Sequence, residues 1–94
     1  MDEIEMNSEG IRLYGRKTED VFLPWDNVVE ILEIRRYMVP FEIVVRGTDG
    51  EINFFGHVMA EVYLNRKTGI KTMQAPRDWR ERTDWRNKYD TNKM

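Results

Sequence analysis

The chain has 94 residues, with 15 Lys and Arg against 17 Asp and Glu for a net charge of −2, and it contains no cysteine. That length supports one small domain, and the missing cysteine excludes disulfides, thiolate metal sites and cysteine nucleophiles. No apolar run approaches the roughly 20 residues needed to span a bilayer, and the acidic start Met1-Asp2-Glu3-Ile4-Glu5 lacks the apolar core of a signal peptide, so a cytoplasmic setting is expected.

The charge is uneven. Residues 1–76 carry 9 Lys and Arg and 13 Asp and Glu, hence −4, whereas residues 77–94 carry 6 and 4, hence +2. An acidic body does not favour broad nonspecific binding to nucleic acid or to an anionic membrane. The chain therefore reads as a β-rich body over 1–76 followed by a Trp/Arg-rich helix or tail over 77–94.

In chain order, Ile4-Glu5-Met6 is apolar-charged-apolar and predicts a short strand, closed by the turn cluster Asn7-Ser8-Glu9-Gly10. Ile11-Arg12-Leu13-Tyr14 alternates, which predicts a strand with Ile11 and Leu13 on one face. A polar loop, Gly15 to Asp20, leads to Val21-Phe22-Leu23, and Pro24-Trp25-Asp26-Asn27 forms a corner because proline cannot donate to a ladder and Asp-Asn bends readily. Residues 28–36 carry two signals. Asn27 with Glu30 would cap a helix whose stripe is Val28, Ile31 and Leu32. The β-branched set Val28, Val29, Ile31 and Ile34 weighs toward a strand.

The clearest local pattern is a hairpin over 41–55. Phe41 to Arg46 and Glu51 to Phe55 flank Asp49-Gly50, a two-residue turn signal. With that turn, Thr48 pairs with Glu51, Arg46 with Asn53 and Val45 with Phe54. Ile43, Val45, Ile52 and Phe54 then share an inner face, while Glu42, Arg46, Glu51 and Asn53 share the other. Val44 and Phe55 break the pattern and point to a second contact. Residues 57–72 allow either a helix, with Val58 and Val62 and Met59 and Tyr63 four apart, or a hairpin of Val62 to Asn65 with Ile70 to Thr72. Gly69 suits both, as a helix cap or a loop residue.

After Gln74-Ala75-Pro76 the composition changes. Asp78-Trp79-Arg80-Glu81-Arg82-Thr83 and Asp84-Trp85-Arg86-Asn87-Lys88-Tyr89 form a near-repeat, and Asp78 with Glu81 supplies a capping box. At about 100° per residue, Trp79, Arg82, Trp85, Arg86 and Tyr89 fall on one side of a helix. Trp and Arg are enriched at binding hot spots, so these five residues are the candidate partner-binding face. An aromatic-arginine face could also stack a base and pair a phosphate. The bland alternative is a helix docked on the body, its tryptophans acting as core anchors. Arg16 and Lys17 are a candidate anion site, offset by Glu19 and Asp20.

Little points to catalysis. His57 is the single histidine and Ser8 the single serine. No metal-ligand spacing, phosphate loop or nucleophile elbow is present. No cofactor, metal or catalytic residue is assigned, and an enzyme is not expected.

The order of a strand, Val21-Phe22-Leu23-Pro24-Trp25-Asp26-Asn27-Val28-Val29-Glu30-Ile31, and then the 41–55 hairpin resembles the bacterial pleckstrin-homology-like domains over about residues 4–56. The resemblance implies a mainly β, α+β fold: a small bent antiparallel sheet or partly open barrel with a C-terminal helix, drawn from 57–66 or 77–89. It also implies a binding or scaffolding module without catalytic residues. The paired basic positions of lipid-binding members are missing apart from Arg16-Lys17, so membrane-lipid binding is not expected. The combined expectation is a small, soluble, bacterial or phage interaction module that binds a protein, self-associates or regulates a larger machine. The alternative is a nucleic-acid, nucleotide or phosphate binder using the Trp/Arg tail.

Overall fold

The computed structural model describes residues 3–17, 19–34 and 40–82. The elements are β1 (Glu3–Met6), β2 (Gly10–Tyr14), β3 (Val21–Pro24), a 3-10 turn (Trp25–Asn27), β4 (Val28–Ile34), β5 (Phe41–Gly47), β6 (Glu51–Gly56), α1 (Val58–Thr68) and β7 (Thr72–Gln74). The fold is mainly β with one helix among the described residues, as the α+β expectation holds. The strands form two sheets, β1-β2-β3 and β6-β5-β4-β7, that do not close into a barrel.

The first sheet is a meander whose alternation places Ile4, Met6, Ile11, Leu13, Val21 and Leu23 toward the second sheet, in or against the core. Gly10 is required where β2 crosses β3. A Cβ there would lie 2.3 Å from the Leu23 carbonyl oxygen and 2.9 Å from Pro24 Cα, both backbone atoms that cannot yield cheaply. On the other face, the Tyr14 hydroxyl donates to Glu5 Oε1 at 2.8 Å, tying β2 to the outer strand β1. That hydrogen bond to a carboxylate, with the burial and negative charge around it, raises the Tyr14 pKa above the ordinary tyrosine value.

The Pro-Trp-Asp-Asn corner carries the chain from one sheet to the other. Trp25 is buried; its indole Nε1 donates to the Asn7 carbonyl at 2.8 Å, and its ring meets Tyr63 of α1 edge-on at 6.0 Å. The corner thus closes one end of the core, as a structural aromatic would.

Residues 28–34 are a strand, and its register explains the mixed signal. Val28 pairs with Gly47 but Glu30 pairs with Arg46, so Val29 is an extra, bulged residue. The bulge lets Val28 and Ile31, three apart, both face the core while Glu30 and Leu32 face the other side. A spacing of three within β-branched sequence imitates a helical stripe.

The 41–55 hairpin forms with its register displaced by two from expectation. Arg46 pairs with Glu51 and Val45 with Ile52, rather than with Asn53 and Phe54. The loop is Thr48-Asp49, closed by the Gly47 N–H on the Gly50 carbonyl at 2.8 Å. Gly47 stays in the strand because a Cβ would sit 2.9 Å from Leu23 Cδ2 and 3.1 Å from the Asn27 carbonyl oxygen. Neither Asp49 nor Gly50 takes the positive φ that an Asp-Gly mirror-image turn needs. A slip of two preserves the facing of every side chain, so the predicted inner face stands.

Residues 57–72 resolve as a helix and a strand, not as a hairpin. Helix α1 buries Leu64 against the core and ends at Gly69, whose φ of 72° is the left-handed cap and whose N–H donates to the Asn65 carbonyl at 2.8 Å. Asn65 Nδ2 then holds the returning chain through the Ile70 carbonyl at 2.7 Å and Thr72 Oγ1 at 3.0 Å. The chain re-enters the sheet as β7, parallel to β4 on the side away from β5. The unit β6-α1-β7 is therefore a parallel crossover, which needs a connection about the length of a helix.

Two outcomes follow. Gly10→Ala lowers the urea unfolding free energy by about 1–3 kcal/mol, because the new methyl meets backbone. Tyrosinate absorbance during alkaline titration shows Tyr14 ionising above its ordinary range, and Glu5→Ala moves that titration to lower pH.

Candidate functional site

Two surfaces carry the residues with chemistry. The first is the outer face of the second sheet, where β4, β5 and β6 present Glu30, Leu32, Val44, Arg46, Glu51 and Asn53. Leu32 and Val44 are apolar on a face that would otherwise be wet. The chain covers them itself: after β7 the Ala75 N–H donates to the Glu33 carbonyl at 3.0 Å, and residues 75–82 run across the face as a strap. Trp79 packs on Leu32 and Val44 as a second, smaller core, with Ile34 and Ala75 at its margin. Val44, an exception to the hairpin's alternation, has its second contact in Trp79.

Arg46 organises the charges beneath the strap. Its side chain is only 2% exposed, and it donates from Nε to Glu51 Oε1 at 2.7 Å, from Nη1 to Glu30 Oε2 at 3.1 Å and from Nη2 to the Trp79 carbonyl oxygen. The guanidinium carbon also lies 5.4 Å from the Trp79 ring centroid. Arg82 adds Nη2 to Glu30 Oε1 at 3.0 Å, so the buried Glu30 is shared by two arginines.

The second surface is an apolar groove of about 660 Å³ between the first sheet and the β6–α1 junction. Ile4, Met6 and Leu13 form one wall, and Phe54, Phe55, Met59 and Ala60 the other, with Glu42, Asn53 and His57 as its polar members. Asn53 Nδ2 donates to Glu42 Oε2 at 3.3 Å across the rim. Phe55 is 63% exposed and Met59 75%, with Val58 exposed beside them. Helix α1 is unusual in presenting Val58 and Met59 to solvent while burying Glu61.

The candidate residues from the sequence divide three ways. Trp79 is a buried anchor and Arg82 an internal ion-pair partner, so both are engaged by their own chain. The described start of the expected tail helix, residues 77–81, is a turn. Within it the Glu81 and Arg82 N–H groups donate to the Asp78 carbonyl at 2.9 and 3.1 Å. Trp85, Arg86 and Tyr89 lie outside the described residues. Arg16 and Lys17 are exposed on the β2–β3 loop, where Asp20 Oδ1 accepts from the Gly15 N–H at 3.1 Å. The structure draws neither residue together with the groove.

Sequence reasoning did not find the groove, because its walls come from three separated segments. Its one legible trace was Phe55, an aromatic on the polar side of the hairpin. No protein-family model matches the chain, and no curated protein is detectably similar to it. Among the described residues, no helix is long and apolar enough to cross a membrane.

The strap is expected to be structural. Trp79→Ala lowers unfolding free energy by about 3–5 kcal/mol, as for other large core deletions. Arg46→Ala costs a similar ~3–5 kcal/mol, because it removes the buried partner of Glu30 Oε2 and of the Trp79 carbonyl at once. Arg80→Ala, at an exposed position, stays within about 0.5 kcal/mol in the same urea titrations.

Proposed function

We propose that this protein is a non-enzymatic interaction module that binds another protein through the groove between the first sheet and the β6–α1 junction. The observation that carries the reading is the exposure of Phe55 and Met59 together at the mouth of an apolar groove. Isolated exposed apolar residues are ordinary in a soluble protein, but a contiguous patch around a concavity is a recognised mark of an interaction site. The reversed exposure of α1 supports it: burying Leu64 fixes the helix, yet the turn nearest the groove shows Val58 and Met59 outward. The resemblance of residues 4–56 to pleckstrin-homology-like domains, mostly binding modules, points the same way.

The reading relocates the interaction from the tail. Trp79 and Arg82 hold the outer face closed, so a partner that took these two residues would cost part of the fold. Among the described residues, the groove can be occupied without displacing the strap or the buried ion pairs.

The test is the double variant Phe55→Glu/Met59→Glu. Both positions are exposed, so circular dichroism and the urea midpoint stay near wild type. Sedimentation velocity at micromolar concentration, combined with quantitative affinity capture, should show wild-type association with itself or with a defined protein, lost in the variant. Identical masses and identical captured proteins for the two folded chains would remove the groove as an interface.

A further inference from the structure

The groove has a second property beyond being apolar, and the inference drawn from it rests on the interaction reading above. Among the described residues, β1 pairs only with β2 and β6 pairs only with β5, so each ends its sheet with an unpaired backbone edge. Ile4 and Met6 of β1 and Phe54, Phe55 and Gly56 of β6 line the groove between those edges. Free edges are a template for another strand, and natural proteins usually blunt them. Here they flank a cavity with an apolar floor.

We propose that this gap accepts an extended segment of a partner protein in which apolar and basic residues alternate. The alternation follows from the pleat, since successive side chains of a strand point to opposite faces. Side chains directed inward meet Ile4, Met6 and Phe54. Those directed outward run beside the outward positions of the two edges, Glu3 and Glu5 on β1 and Glu51, Asn53 and Phe55 on β6, with Glu42 of β5 paired to Phe55. Among the described residues, no Lys or Arg lines the groove. Opposite charges across neighbouring strands are favourable and like charges are not. A second copy of this chain would bring the same carboxylates to the same edges, which argues for a different, basic partner. The lengths agree as well: β1 has 4 residues and β6 has 6, so the insert needs four to six residues, roughly 13–20 Å of strand. This is strand addition, in which backbone bonds supply affinity and alternate side chains supply specificity.

The probe is a fluorescently labelled hexapeptide, Lys-Ile-Lys-Val-Lys-Ile, titrated into the full chain beside its acidic twin, Glu-Ile-Glu-Val-Glu-Ile. The basic peptide is expected to bind at least about tenfold more tightly at low salt. On binding, amide exchange should slow in residues 3–6 and 51–56. Glu3→Lys, at an exposed position outside the Tyr14–Glu5 hydrogen bond, should narrow the preference while leaving the urea midpoint near wild type. Equal affinity for the two peptides, or slowing confined to other strands, overturns the proposal. So does slow exchange of the outward β1 and β6 amides before any peptide is added. If that protection is independent of protein concentration, the chain's own residues fill the gap; if it depends on concentration, a second copy does. Failure of peptide binding while association still depends on Phe55 and Met59 rejects strand insertion alone. Insensitivity of both rejects the groove as an interface.

Discussion

The buried guanidinium of Arg46 is the constraint on which this architecture depends. It sits next to the last residue of a strand whose every residue is buried, on a face that would be solvent in a bare four-stranded sheet. Removing such a charge from water costs several kcal/mol unless its donors are satisfied. Here they are met from three directions: Glu51 on one neighbouring strand, Glu30 on the other and the Trp79 carbonyl from above. The first two fix the alignment of β4, β5 and β6. The third obliges the chain to return over the sheet, and that return covers Leu32 and Val44. A hydrophobic residue at position 46 could pack as well but would not specify where the strap must lie.

The bulge at Val29 is the backbone counterpart of this arrangement. Without it, strict alternation from Val28 would turn Glu30 into the core and away from Arg46. With it, one strand serves both faces: Val28 and Ile31 fill the space between the sheets, while Glu30 and Leu32 serve the strap. The two cores therefore share β4 and β5 and are not independent. The groove, by contrast, draws on residues that neither the buried ion pair nor the strap requires. That separation is what lets an apolar groove stay open on a chain of this size.

Much of the fold was legible because it is carried by local chemistry. Pro24 and Asp26-Asn27 mark the corner, alternation marks β2, and the 41–55 pattern marks the hairpin and its inner face. Three features needed tertiary information. The hairpin slipped by two because Gly47 is demanded by Leu23 and Asn27 from outside the hairpin, and a period of two conceals such a slip. The strand at 28–34 looked partly helical because a bulge produces a spacing of three. Residues 57–72 stayed open until Leu64 had a core to join and β4 had an edge to offer β7. The candidate site was less legible. Trp79 reads the same from sequence whether it anchors its own sheet or another protein. The groove is an outcome of assembly, and only Phe55 betrayed it.

The strap also bears on how the molecule comes together in time. Arg46 and Trp79 are 33 residues apart, and Glu30 and Arg82 are 52 apart. Closing loops of that size costs chain entropy before any contact repays it, whereas the meander and the hairpin close short loops. The strap is therefore laid down late, onto a sheet already formed. Interactions absent from the transition state act chiefly on the escape rate from the native state. Residues 75–82 thus set the lifetime of the folded molecule more than the speed at which it is reached. Until they dock, Leu32 and Val44 form a sticky stripe on an otherwise finished sheet, the interval in which the chain is most exposed to mispairing.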